Sequence, residues 1–210
     1  MIVVENGSTD DTGFVIRRLM QSMDGLQMIT LSRAGKGRAV KAGVLAARGD
    51  AIFLCDADLS TPAGEITRFL RALTEGYDVV VGSREGVGAI RYGEPGYRHI
   101  MGRVFNKIVQ AMAVPDVEDT QCGFKGFSAS AAKHLFGLQT LNGWAFDVEV
   151  LYLARKFGYR IAELPVEWRF NDDTKVRALR DTWAMLTDIV TIRINDLLGR
   201  YGARKRMEAV

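Results

Sequence analysis

The chain has 210 residues, 48% apolar and 25% charged, with a formal net charge of +3. That length and apolar share sustain one domain with a sizeable core and exclude a disordered chain. No run is apolar for long enough to span a bilayer, no signal peptide is visible, and two cysteines, Cys55 and Cys122, exclude a disulfide framework and fit a reducing compartment.

In chain order, Met1–Val4 is a short strand and 5–12 a polar turn. Phe14–Met23 is expected as a helix, Leu26–Leu31 as a strand and Ala39–Ala47 as a helix that stops at Gly49 and Asp50. Ala51–Cys55 is an apolar strand. Pro62 opens a helix that runs to Leu73, since proline suits a first turn. Asp78–Val81 is the next strand, followed by a glycine-rich stretch to Gly96. Beyond it lie a helix at His99–Met112, a strand at Lys125–Ser128 expected at the sheet edge, and a helix at Trp144–Phe157. Arg160–Trp168 is a strand broken by Pro165, and Val176–Leu198 a long terminal helix. The alternation implies an α/β domain with a mostly parallel, doubly wound sheet over 1–198. A basic tail, 199–210, carries Arg200, Arg204, Lys205 and Arg206.

Ligands of open α/β sheets bind beyond the carboxyl ends of the strands. Three polar segments fall there: 5–10 with Asn6 and Asp10, Asp56-Ala57-Asp58, and Gly82-Ser83-Arg84. Two carboxylates one residue apart after an apolar strand suit a hard divalent cation that bridges to phosphate, or else a helix cap and a surface acid. Gly35-Lys36-Gly37 sets a cation and amides beside phosphate, or forms a turn with a solvated lysine; it is not a P-loop. Arg84, Arg91, Arg98 and Arg103 suit phosphate oxygens or a solvated face. Asp119 and Gln121 sit in a polar run before a strand, like a site wall. Of Asp147 and Glu149, two apart on a helix, only one need face the site. Cys122 has neither histidine near it in sequence and is not read as a nucleophile.

These residues resemble the family 2 glycosyltransferases with the GT-A fold, nearest the dolichyl/polyprenyl-phosphate β-glucosyltransferases. The matching pieces are 6–12 (NGSTDDT), Gly35-Lys36-Gly37, 56–60 (DADLS), Gly82-Ser83-Arg84, 119–125 (DTQCGFK), 144–149 (WAFDVE) and 163–168 (ELPVEW). The resemblance implies a Rossmann-like, N-terminally shortened GT-A domain, lacking the family's first strand-helix unit. It assigns Asp56 and Asp58 to a Mg²⁺ or Mn²⁺ ion and the donor diphosphate. Asn6, Asp10, Gly35, Lys36 and Gly37 fall to the nucleotide, and Arg84, with Arg98 and Arg103, to the acceptor phosphate. Ser60, where mannose synthases often have glutamine, favours glucose.

The implied reaction is inverting transfer of glucose from UDP-glucose to a polyprenyl (dolichyl-like) monophosphate. The alternatives are mannosyl transfer from GDP-mannose, nucleotidyl transfer onto a sugar phosphate, or an inactive shortened homologue serving as a membrane-associated assembly subunit. The implied setting is the cytoplasmic side of a membrane, bound peripherally, with no nucleic-acid partner and a possible homo-oligomer. Leu179, Trp183, Leu186, Ile189, Val190 and Leu197 recur at helical spacing beside Arg177, Arg180, Arg193 and Arg200. Most of that stripe is expected to pack on the sheet, its exposed end and the basic tail giving a weak membrane foothold.

Overall fold

The computed structural model describes residues 1–171 and 178–202. The chain begins with β1 (Ile2–Asn6), α1 (Thr12–Met20), β2 (Gln27–Leu31), α2 (Lys36–Ala46) and β3 (Ala51–Leu54). A short 3₁₀ turn at Ala63–Glu65 leads into α3 (Ile66–Thr74), then β4 (Val79–Ser83), β5 (Ile90–Tyr92) and α4 (Gly96–Met112). The second half holds β6 (Lys125–Ser128), α5 (Ala129–Leu138), α6 (Phe146–Phe157), β7 (Ile161–Pro165), β8 (Glu167–Arg169) and α7 (Ala178–Leu197).

The central sheet has the order β3-β6-β4-β7, flanked by two-stranded pairs β1-β2 and β5-β8. β1 with β2, β4 with β7, and β5 with β8 run parallel, while β6 is antiparallel to both its neighbours. β4 reads Val-Val-Val-Gly-Ser and is buried along its whole length, as a strand covered on both faces requires. Its side chains alternate between two cores. Val79 and Val81 face the larger one, filled by Leu135 and Phe136 of α5, Leu151 and Leu153 of α6, and Ile189 and Ile192 of α7. Val80 faces the smaller one, where Phe69 of α3 meets Phe124 edge-on at 4.8 Å between ring centres.

The expected edge strand at 125–128 lies in the interior instead, between β3 and β4. Its glycine permits the position: a Cβ at Gly126 would come within 3.0 Å of the Phe53 ring, which crosses the bare backbone there. Three expected helices start earlier, α1 at Thr12, α2 at Lys36 and α4 at Gly96. Helix α5 was not expected at all; Ser128 starts it by accepting a hydrogen bond from the Ala131 amide at 3.4 Å. The strand expected over 160–168 is interrupted at Pro165, as proline's missing donor dictates.

The packed body extends past the boundary expected at 198. Tyr201 is buried, and its hydroxyl donates to Glu149 at 2.6 Å. Residues 172–177, with Val176 and Arg177, and tail residues 203–210, with Arg204, Lys205 and Arg206, lie outside the described residues.

Candidate active site

The carboxyl ends of β1, β3 and β4 release the three polar loops, and helix N-termini and the 119–125 turn close around them. After β3 the chain turns sharply: the Leu59 amide donates to the Asp56 carbonyl at 3.0 Å, and the Asp58 carboxylate accepts from the Ser60 amide at 2.9 Å. Leu59 takes a left-handed conformation at φ 52°, which a branched residue adopts only at a cost of about 1 kcal/mol or more. Its side chain is exposed, so core packing does not hold it there.

Asp56 is part of a charged floor. Lys36 reaches across from the start of α2, placing Nζ 2.9 Å from Asp56 Oδ1 and 3.2 Å from Oδ2, over the Trp144 ring. Burial works against the Lys36 ammonium, but the Asp147 and Asp56 carboxylates outweigh it and hold its pKa above the ordinary lysine value. Behind them Lys125 is almost fully buried in β6, its Nζ 2.6 Å from both Asp147 Oδ1 and the Cys122 carbonyl. Burial pushes the Asp147 carboxyl upward, against the pull of Lys125 and Lys36. Asp147 thus belongs to the charged floor beneath Asp56, its side chain almost fully buried. Glu149 points into the opposite core, where Thr140, Leu141 and Tyr201 donate to it.

Gly123 fits against Asp56 so closely that a Cβ there would lie 2.0 Å from Oδ2. This explains the glycine in DTQCGFK, and the sequence alone gave no sign of the collision.

The glycines flanking Lys36 have a different role from the phosphate cradle considered above. A Cβ at Gly35 would lie 2.6 Å from the Asn142 carbonyl oxygen, and one at Gly37 2.7 Å from Phe146 Cβ. The Gly37 and Arg38 amides donate to the Gly143 and Asn142 carbonyls at 3.2 and 3.3 Å. These glycines dock the helix against 141–143 and aim the Lys36 side chain; the two amides are already engaged.

Arg84, at the end of β4, is not a free cation either. Its Nε and Nη2 fork onto Asp119 at 2.7 and 2.9 Å, and its amide donates to the same carboxylate at 3.0 Å. The guanidinium lies 5.1 Å from the centre of the Trp168 ring. Asp119 is fully buried, so it backs the wall rather than lining it. Burial alone would raise its carboxyl, yet the Arg84 charge and hydrogen bonds hold it well below the usual carboxylate range. Glu163 fixes this turn by accepting from the amides of Glu118 and Asp119, both at 2.9 Å.

Beyond Arg84, Glu85 gathers Arg91, His99 and Arg103 around one carboxylate. Arg103 also pairs with Glu118 at 3.3 Å. Arg98 stands apart, over the Phe170 ring and beside the Tyr97 hydroxyl. Glu85, Trp168 and Glu163 were not anticipated as organising residues, because their partners come from distant segments.

Two orphaned polar atoms mark the remaining candidates. Asn6 Oδ1 and Gln121 Nε2 are buried and lack a hydrogen-bond partner. Asp10 accepts from the Thr12 amide at 3.1 Å, beside the left-handed Gly7 turn at φ 72°. Burial, then the Asp119 charge, pushes the Cys122 thiol upward, which removes it as a nucleophile.

Among the described residues no cluster of three or more His, Cys, Asp or Glu side chains forms a metal cage. Asp56 and Asp58 nevertheless fit a cation that shares its coordination with substrate phosphate: hard ions of the Mg²⁺ type commonly take one or two protein carboxylates and complete their shell elsewhere. The Asp56 side chain is 42% exposed and can be approached from the cleft.

Comparison with known proteins identifies the family. Residues 1–136 match the model of glycosyl transferase family 2. The chain is 35% identical over 208 residues to a dolichyl-phosphate beta-glucosyltransferase of Dictyostelium discoideum, covering 95% of this chain and 64% of that one. It is 32% identical over 211 residues to the dolichyl-phosphate beta-glucosyltransferase of Homo sapiens, covering 96% and 65%. The chain therefore spans slightly less than two thirds of the length of these relatives. Among solved structures, glucosyl-3-phosphoglycerate synthase from Mycobacterium tuberculosis, bound to Mn²⁺, UDP-glucose and phosphoglyceric acid, superposes with a TM-score of 0.62 at 21% identity, covering 97% of this chain and 69% of that one. That likeness establishes the GT-A fold. The chain belongs to glycosyl transferase family 2, close to the dolichyl-phosphate β-glucosyltransferases.

Proposed function

We propose that this protein transfers glucose from UDP-glucose to a polyprenyl monophosphate with inversion, working peripherally at the cytoplasmic face of a membrane. The observation that carries the reading is the charged floor running from Asp56 through Lys36, Asp147 and Lys125 to Asp119 and Arg84. It gives one end suited to a cation and a diphosphate and another suited to a second phosphate. The names of the relatives support the choice of donor and acceptor.

Asp56 and Asp58 would hold Mn²⁺ or Mg²⁺, which when bound offsets the charge of the donor diphosphate. Lys36 orients Asp56 and adds a positive charge beside the leaving phosphate. The orphaned Asn6 and Gln121 amides, with Asp10, supply polar contacts for the nucleotide side. Arg84, clamped in place by Asp119, presents the part of its guanidinium outside the fork to the acceptor phosphate, with Arg98 and Arg103 further out. An acceptor phosphate oxygen attacks the anomeric carbon through an oxocarbenium-like state. Its new bond to carbon replaces the bond to UDP, which departs with the electron pair. A phosphate monoester is already anionic near neutrality, so no strong general base is required.

Calorimetry of UDP-glucose binding with and without Mn²⁺ tests the metal end. Asp56→Asn and Asp58→Asn should each weaken the metal-dependent component. Radiolabelled glucose transfer to a polyprenyl phosphate tests the reaction. If neither variant alters metal dependence and wild type releases no UDP with the acceptor present, the assignment fails.

A further inference from the structure

We infer that the outer face of α4 is the surface through which this protein docks on an anionic lipid bilayer. This rests on the proposed lipid acceptor and gives that same site its membrane contact. The 17 residues of α4 include Arg98, Arg103 and Lys107 and not one Asp or Glu. Phe105, Asn106 and Val109 turn inward. On the other side, Tyr97, Ile100, Met101 and Val104 are exposed by 62%, 66%, 37% and 57%, at helical spacing. A shallow groove of about 430 Å³ continues the stripe toward Ile108 and Ala111, with Arg103 and Lys107 among its lining residues.

An apolar stripe bordered by cations and free of acids has the charge complementarity an anionic bilayer surface needs. The stripe is also continuous with the site: Arg103 and His99 of α4 pair with Glu85, the residue after Arg84. A lipid whose phosphate reaches Arg84 would keep its chain beside this helix. The preceding loop adds Val87, which is fully exposed, and Ile90 and Tyr92.

The expected foothold on the terminal helix is less suited. α7 does expose Trp183 and Leu197, but Asp188 and Asp196 interrupt its charge, and Asp196 is engaged by Lys156. Among the described residues no helix is long and apolar enough to cross a membrane, so a surface contact of this kind is the form open to the described part.

The test pairs Ile100→Glu/Val104→Glu with a Lys107→Gln variant. The readouts are flotation with vesicles of phosphatidylcholine alone or with phosphatidylserine, and glucose transfer to a water-soluble short-chain isoprenyl phosphate and to a long-chain acceptor in vesicles. Both altered apolar positions are exposed, and circular dichroism with a thermal melt confirms folding. The double variant should lose about tenfold or more in anionic-vesicle binding and in long-chain transfer, and keep short-chain transfer. Lys107→Gln should lose about fivefold of the preference for anionic vesicles, and high salt should weaken wild-type binding. Wild-type indifference to anionic vesicles, or vesicle binding unchanged in the double variant, overturns the inference. So does a wild-type dimer that the double variant dissociates while vesicle binding persists, which would make the face a contact between two copies. Flotation needs no catalysis, so a protein that floats through α4 but transfers no glucose refutes the proposed reaction and leaves the docking face standing.

Discussion

Substituting Gly123 by alanine perturbs the site through a single methyl group. Its carbon would lie 2.0 Å from Asp56 Oδ2, 2.4 Å from Cγ and 3.0 Å from Oδ1. Carbon and oxygen that are not bonded approach to about 3.3 Å, so the carboxylate must retreat by roughly 1.3 Å. With 42% of its side chain exposed, Asp56 can swing toward solvent, abandoning the 2.9 Å contact to Lys36. That contact is partly solvated, and its loss should cost no more than about 1 kcal/mol of stability. The effect on activity is larger. A displacement of about 1 Å in a catalytic group lowers rates on the order of 10²-fold, or about 2.7 kcal/mol in the barrier. The assay is kcat/KM for glucose transfer at saturating Mn²⁺, with a thermal melt alongside. The same substitution in an Asp56→Asn background should cost little more than Asp56→Asn alone, since both act through one carboxylate. Wild-type kcat/KM in Gly123→Ala, or full additivity with Asp56→Asn, would refute the reasoning.

Asp119→Asn should destabilise the fold by about 3–5 kcal/mol in chemical denaturation, because it leaves the Arg84 charge buried without its partner. The Asp119 carboxyl titrates lower in the folded than in the unfolded chain. Its contribution should therefore be complete above about pH 4 and fade as pH falls below that, and the variant should lack this acid limb. Tyr201 gives the alkaline counterpart: burial and the hydrogen bond to Glu149 push its phenol up to about 12. Because the folded value lies above the unfolded one of about 10, stability should be lost as pH rises from about 10 to 12, and Tyr201→Phe should flatten that limb in pH-dependent melts. Arg84→Ala should raise the acceptor KM more than the UDP-glucose Kd; equal acceptor kinetics in a folded variant would remove Arg84 from the acceptor site.

The sequence carried the parts whose cause is local. Short apolar runs announced β1, β3 and β4, and the polar segments at their ends followed from the alternation of strands and helices. What it concealed depends on contacts between distant segments. Lys125–Ser128 has the composition of any short strand, and only its neighbours determine that it is interior and reversed. The Gly35 and Gly37 backbones look like a phosphate loop until the chain at 141–143 is placed against them. Arg84 looks like a surface cation, since its partner lies 35 residues away. Helix α5 was missed because it follows β6 without a turn, and Ser128 both ends the strand and caps the helix.

The Glu149 clasp bears on how the protein is made. A carboxylate at the centre of the larger core depends on donors from 140–141, already present when α6 forms, and on one from Tyr201, almost the last described residue to be synthesised. A nascent chain still held by the ribosome short of that residue has its core charge incompletely satisfied, a deficit of about 1–3 kcal/mol. The packing of α7 onto α6 should accordingly gain that much once residue 201 joins it. Cleavage of the chain before residue 201 would remove a latch on that core carboxylate.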